Sequence, residues 1–319
     1  MRKIFISGIA VADLVFELDE LPFAPVKHMT DRGRITSGGC AANAAVAVAR
    51  LGGRAALGAR VGDDLLGALV LEDMAAEGVD TASVHRAVGG RTSFSAVCLD
   101  AAGERLIVNY RGRGLDAGRA PLAPPADADA ALADTRWLGG LEETLAFARR
   151  RDIPGIVDAE RLGDAAPPTL LRAATHVAFS KQGLLSLTVG DGAGAGGPGN
   201  GDPSRDHGRD LPRALAAVRR RLAPSSWACV TDGGNGVFFT APGGVEHLPA
   251  FAVTARDTLA AGDIWHGAFA LRLAEGANEE EAMQFACAAA ALKCAHPGGR
   301  DACPDRPATE QFLRERAAD

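Results

Sequence analysis

The sequence predicts an α/β fold with a central, mostly parallel sheet flanked by helices. Three observations predict it. Strand-length apolar runs alternate with helix-like stretches along nearly the whole chain, the pattern left by strand–helix–strand crossovers. Hydrophobic residues make up 47% of the 319 residues, enough for one sizeable core. Aromatic residues account for only 5% while alanine and glycine abound, so helices and sheet are expected to approach closely.

Taken in order, Lys3–Ile9 reads as the first strand. Ala41–Leu51 is a small-residue helix stopped by Gly52-Gly53, and Ala55–Arg60 returns as a strand. Leu65–Glu77 is amphipathic and ends at Gly78, a residue type that closes helices because it lacks a Cβ. Further strands are predicted near Arg136–Leu138, Gly155–Asp158, His176–Phe179, Trp227–Thr231 and Val237–Thr240, and helices over Leu211–Leu222, Ile264–Glu275 and Glu279–Cys294. Two regions break the alternation, residues 12–37 and 92–113. The second holds Ser93–Leu99 and Arg105–Tyr110, two period-2 runs joined at Asp100–Gly103 as in a hairpin. Together they are expected to form a small sheet projecting as a lid from a single domain spanning 1–319. Gly190–Asp210, rich in glycine with Pro198 and Pro203, is expected to be a flexible surface insertion.

Charge and cysteine usage narrow the function. The net charge is −6 and no basic stretch is long enough to follow a phosphate backbone, so nucleic acid is not expected as a partner. Arg149–Arg151 and Arg219–Arg221 fall at predicted helix ends, where cations complement the helix dipole. Cys40, Cys98, Cys229, Cys287, Cys294 and Cys303 show no CxxC spacing and no metal-ligand pairing with histidine, which fits a reducing compartment. The N terminus is interrupted by Asp13 and lacks a small-residue cleavage site, and no segment approaches the ~20 apolar residues of a membrane span. A cytoplasmic protein without membrane contact is expected.

The strongest local signal is Asp257-Thr258-Leu259-Ala260-Ala261-Gly262-Asp263, leading directly into a helix. Small residues at a helix start expose backbone N–H groups that bind anions, and an aspartate beside them can accept a proton from an attacking hydroxyl. Alone, Asp263 would merely complement the helix dipole. It has company. Gly38-Gly39-Cys40-Ala41-Ala42-Asn43 also precedes a helix, and Thr231-Asp232-Gly233-Gly234-Asn235-Gly236 follows a buried strand, where a nucleotide can lie against bare backbone. There is no GxxxxGK[ST], no protein-kinase signature and no GxGxxG after the first strand, which sets aside P-loop enzymes, protein kinases and nicotinamide oxidoreductases.

The order and spacing of these segments resemble the ribokinase-like PfkB carbohydrate kinases. Ser37–Leu51, Gly58–Asp64 and Glu77–Asp80 look like that family's N-terminal signature, and Asp257–Asp263 like its C-terminal one. The resemblance implies ATP with Mg²⁺, Asp263 as catalytic base, and the amides of Ala260, Ala261 and Gly262 as the anion hole. It implies that Asp13, Gly38, Gly39 and Asn43 face the sugar and that Thr231, Gly233 and Gly236 line the nucleotide site. A monovalent cation such as K⁺ near Asp257 and a homodimer through the lid are implied as well.

This chain departs from the family pattern at three points. Ala260 stands where the family usually has glycine. The Asn-x-x-Glu segment tied to Mg²⁺ falls on Ser180-Lys181-Gln182-Gly183, leaving Asp158 or Glu160, or water alone, to position the metal. Cys287 replaces an asparagine near the adenine. Within the family the chain is most similar to sulfofructose kinases, through Gly8–Asp13, Glu104–Tyr110, Trp265–Ala268 and Ala291–Cys294 among other segments. That likeness implies a sulfonate held by Lys27, Asn109 and Arg136, two cations and an amide suited to three acceptor oxygens. Other ketohexoses, sugar acids and nucleosides remain alternative substrates. The competing class is a non-catalytic sugar- or nucleotide-binding module that kept the fold.

Overall fold

The computed structural model describes residues 1–21, 24–101, 104–160, 168–188 and 210–317. The expected insertion, apart from Asp210, and residues 102–103 of the expected hairpin turn lie outside the described residues.

An eight-stranded sheet forms the centre, in the order β14-β13-β12-β11-β10-β9-β1-β4. Its members are β1 (Lys3–Ser7), β4 (Arg54–Gly58), β9 (Ala130–Asp134), β10 (Gly155–Ala159), β11 (His176–Ser180), β12 (Trp227–Thr231), β13 (Val237–Ala241) and β14 (Gly244–Leu248). From β4 to β12 every pairing is parallel, while β13 and β14 add antiparallel strands at one edge. Successive strand residues serve opposite faces. Ile156, Ala178 and Cys229 pack into a core with α1 (Cys40–Arg50), α7 (Ala261–Ala274) and α8 (Glu279–Cys294). Their neighbours Val157, Val177 and Ala228 pack into a second core with α3 (Leu138–Arg151), α5 (Lys181–Thr188) and α6 (Leu211–Arg219). Helices therefore cover both faces, which is why these strands read as continuous apolar runs. Among the described residues no helix is long and apolar enough to cross a membrane.

One strand is displaced from its expected place. Arg136–Leu138 is not a strand: the chain pairs earlier, as β9, and Leu138 already opens α3. The reason is packing. β9 is Ala-Ala-Leu-Ala-Asp, poor in the residue types that favour strands, yet all five positions are buried between β1 and β10. A central strand under helices on both sides has room for small residues, and burial overrides the weak local preference. The C-terminal helix α9 (Arg306–Ala317) and β14 carried no recognised signal.

The two irregular regions do form a separate sheet. β3 (Gly33–Gly38), β2 (Val11–Glu17), β7 (Phe94–Leu99) and β8 (Arg105–Tyr110) pair in that order, and β7 and β8 make the expected hairpin. The helix α2 (Leu65–Ala76) packs against β3. Alternation again sorts the residues. Asp13, Ser95, Asn109 and Arg105 turn toward the central sheet, whereas Phe16, Ile35, Phe94, Val108 and Tyr110 lie on the far face and are exposed.

Candidate active site

A cavity of about 530 Å³ lies between the C-terminal ends of the parallel strands and the second sheet. This is the edge at which α/β sheets present ligand sites, and the volume suits a small molecule.

Its centre depends on two helices lying almost in contact. A Cβ on Gly267 of α7 would come within 2.5 Å of the Ala44 carbonyl oxygen on α1. The missing side chain lets α1 and α7 approach, and their first turns then meet: Asn43 Nδ2 donates to Asp263 Oδ2 at 2.7 Å. Among the described residues Asn43 Oδ1 is buried without a partner, an acceptor available to a hydroxyl. Burial, followed by repulsion from Asp158, pushes the Asp263 carboxyl up to about 7. A carboxylate so placed can take a proton near neutrality.

Ala260 caps α7 in the left-handed region, φ 64°, where glycine is usual. The chain thus keeps the conformation of a glycine while carrying a Cβ, at a cost of ~1–2 kcal/mol. Gly262 and Asp263 belong to the first turn of α7, where backbone N–H groups lack i−4 partners, and both line the cavity. Ala261 does not line it, and its N–H points back to the Thr258 carbonyl at 3.3 Å.

The floor beside Asp263 is acidic. The Cys40 thiol and one carboxylate oxygen each of Asp158 and Asp263 lie within 4.8 Å of one another. His266 Nε2 is 3.1 Å from Asp158 Oδ1. Burial disfavours the His266 cation, but Asp158 and then Asp263 outweigh it and raise its pKa. Burial also pushes the Cys40 thiol well up, so it stays neutral. Hard carboxylates suit Mg²⁺ and a neutral thiol does not. Asp158 and Glu160, both lining the cavity, therefore fit the metal that ATP chemistry calls for.

On the nucleotide side, Thr231 and Ser180 line the cavity. The Ser180 hydroxyl is used locally: it donates to the Glu160 carbonyl at 2.6 Å and accepts from Gly183 N–H at 2.9 Å. Gly233 and Gly236 sit in the turn after β12 without lining the cavity. A Cβ on Gly236 would come within 2.1 Å of the Leu248 carbonyl, so that glycine serves packing against the edge of β14. Cys287 is also not part of the cavity. It is buried between α7 and α8, where its sulfur accepts from Trp265 Nε1 at 3.3 Å, because α8 turns this position toward the helix interface.

On the sugar side, Asp13, Gly39 and Asn43 line the cavity. Gly38 does not; a Cβ there would fall 1.9 Å from Asp13 Oδ2, so its role is to leave that carboxylate room. Burial raises the Asp13 pKa, partly offset by a hydrogen bond from Ser95 and by the charge of Arg300.

The expected trio of Lys27, Asn109 and Arg136 does not converge. Lys27 is exposed in the loop after β2 and outside the cavity. Arg136 lines the cavity, but its guanidinium is taken by Glu160, with Nη2 at 2.5 Å and Nε at 3.0 Å from Oε2. Asn109 lines the cavity and donates to Ser95 Oγ at 3.1 Å. Two other cations are present instead. Arg105 and Arg111 project from β8 and its end, and among the described residues neither has a carboxylate partner. Arg105 Nη1 donates to Thr258 Oγ1 at 3.1 Å, linking the second sheet to the loop before Asp263. Period-2 alternation along 105–111 is the signal that would have selected them, since it puts Arg105, Asn109 and Arg111 on one face.

Asp257 lies outside the cavity, and potassium does not fit there. Its carboxylate accepts N–H groups of Leu259, Gly298 and Gly299 at 2.8, 3.1 and 2.6 Å, and Lys293 Nζ is 3.0 Å from Oδ2.

A helix start with free N–H groups, a half-buried carboxylate beside it and a second sheet overhead are suited to moving a phosphoryl group onto a hydroxyl, the task of a small-molecule kinase. The relatives agree. The model of the pfkB family carbohydrate kinases matches residues 1–306. The ribokinase of Bacillus subtilis is 28% identical over 327 aligned positions, covering 98% of this chain and 100% of that one. An ATP-dependent ribose-1-phosphate kinase of Halopiger xanaduensis is 27% identical over 327 positions, covering 99% of each. A crystal structure of a candidate ribokinase from Agrobacterium tumefaciens aligns with TM-score 0.88 at 33% identity, covering 100% of this chain and 99% of the other. The chain belongs to the pfkB family and is an ATP-dependent carbohydrate kinase of ribokinase-like fold.

Proposed function

We propose that this kinase transfers the γ-phosphoryl group of ATP to a hydroxyl of a sugar that carries an anionic group. Asp263 removes the hydroxyl proton, and Asn43 holds its carboxylate in place. The amides of Gly262 and Asp263 face the charge developing on the phosphoryl oxygens. The observation that carries this reading is the half-buried Asp263 carboxylate in the first turn of α7, held at 2.7 Å by Asn43 from α1. Asp158 and Glu160 would hold Mg²⁺, which would supply charge neutralisation of the phosphates. Asp13 and the unpartnered Asn43 Oδ1 bind sugar hydroxyls.

The second sheet acts as the lid, and its Arg105 and Arg111, with Asn109, receive the anionic group. Two guanidinium groups without carboxylate partners among the described residues, beside a cavity, favour an anion there. A sulfonate as in 6-deoxy-6-sulfofructose, a sugar acid or a sugar phosphate has the right chemistry, and the Halopiger relative is named for a phosphorylated sugar. A neutral pentose is the second reading, favoured by the likeness to the Bacillus ribokinase. The test is ATP consumption over ribose, fructose, ribose-1-phosphate and 6-deoxy-6-sulfofructose. A higher kcat/KM for the anionic sugars supports the proposal; a preference for ribose overturns it.

We also propose that the far face of the second sheet pairs with a second copy. Ile35 and Val108 are 56% and 63% exposed there, beside the tilted ring pair Phe94–Tyr110. A contiguous apolar face of this kind marks an association surface. Val108→Asp should turn a dimer into a monomer by light scattering.

A further inference from the structure

Lys293 is the one lysine among the buried charged residues described, with 0% exposure. It stands in the last turn of α8, and its Nζ donates to the Asp257 backbone carbonyl at 2.6 Å while lying 3.0 Å from Oδ2 of the same residue. The N–H groups of Arg256 and Asp257 in turn donate to the Cys294 carbonyl at 2.8 and 3.2 Å. The segment that delivers Ala260 to Asp263 is therefore fastened at its start to the end of α8. The turn at Gly298 and Gly299 is tied to the same carboxylate.

A monovalent cation at this place needs oxygen atoms that are free to surround it. Here the carbonyl and Oδ2 are already directed at an ammonium, and a second positive charge alongside would be repelled. An ammonium offers the same single charge, delivered by the chain. The anchor also bears on Ala260, three residues beyond Asp257. Its left-handed backbone persists only where the surroundings enforce it.

We infer that Lys293 is the internal counterpart of a monovalent cation in this kinase, a positioning residue that holds 257–263 in its working geometry, so that turnover does not depend on potassium. The inference rests on the proposed role of 260–263 as the site of phosphoryl transfer.

The test uses the full chain in potassium-free buffer, titrated with potassium chloride against tetramethylammonium chloride at equal ionic strength. Wild-type kcat and melting temperature should be the same in both series. Lys293→Met keeps most of the apolar stem and removes the charge. It should lower kcat by on the order of 10²-fold, the scale of a small misplacement of reacting groups, with sugar KM little changed. Potassium or methylammonium should restore part of that kcat and raise the melting temperature of the variant alone. Strong activation or stabilisation of the wild type by potassium overturns the inference, as does a Lys293→Met enzyme with full kcat in potassium-free buffer. If the variant does not fold, the two wild-type series decide. The melting series also separates this inference from the functional reading. A wild type that phosphorylates no sugar yet melts identically in both salts would refute only the latter.

Discussion

The floor and the roof of the cavity are built on opposite electrostatic principles. The floor gathers Asp158, Glu160 and Asp263 at the ends of buried strands and the start of α7, where burial and mutual repulsion push Asp263 up to about 7. The roof is a thin sheet exposed on its far face, and it presents Arg105 and Arg111 without carboxylate partners among the described residues. The floor is preorganised by packed helices, and in the function proposed above it serves proton and metal chemistry. The roof sits on half-exposed strands, and in the same proposal it serves recognition. On that proposal, the fold would keep its chemistry while changing its substrate through one strand of the smaller sheet.

The largest expected effect comes from breaking the floor. Asp263→Asn should lower kcat by ~10²–10⁴-fold, the range for loss of a general base, with the fold intact by circular dichroism. A variant that turns over ATP at the wild-type rate with saturating sugar would remove Asp263 from the mechanism.

Breaking the roof should instead change discrimination. A charge-assisted contact is worth ~1.5–3 kcal/mol, so Arg111→Met should raise KM for an anionic sugar by ~10–150-fold and leave fructose or ribose nearly unaffected. Equal losses on both substrates would make Arg111 structural. Lys27→Met, outside the cavity, is the control and should change neither.

The two regions also differ in pH response. Asp263 must be deprotonated to act, so kcat/KM should be flat above about 7 and fall tenfold per pH unit below it. Arginine keeps its charge at any working pH, so the roof adds no limb in that range. Stability runs the other way. A carboxyl whose folded pKa is raised binds its proton more tightly in the folded state. That contribution is present below the unfolded carboxyl pKa and lost as pH rises through about 7. Melting temperatures of Asp263→Asn should therefore fall less than those of the wild type between pH 4 and pH 8.

The smallest effect concerns Ala260. Replacing it by glycine relieves left-handed strain but adds freedom to the unfolded chain, for a net gain of about 0.5–1 kcal/mol. Chemical denaturation with and without nucleotide measures it. A loss of stability would show that the methyl group packs usefully.

The alternation of strands and helices, the hairpin of 94–110 and the helix start at Asp263 were legible because each is local. Each shows as a period in hydrophobicity or as small residues before a helix. β9 was not, because alanine carries little strand preference and only its position between β1 and β10 makes it one. The anion-binding trio failed for a similar reason. Residue types alone could not show that Glu160 occupies Arg136 or that Lys27 stays in solvent, whereas Arg105 and Arg111 share a strand face with Asn109.

By itself, then, the sequence determined the fold class, the two small-residue helix starts and the place of Asp263 in the first turn of the second. Those are properties of neighbours along the chain, written in spacing and side-chain size. Only the tertiary structure decided that Asn43 holds Asp263 across 220 residues, that Lys293 neutralises Asp257, and which arginines face the cavity without a carboxylate partner among the described residues. Such contacts depend on which helices can touch, here through Gly267 against Ala44, and on which charges lose their water when they do.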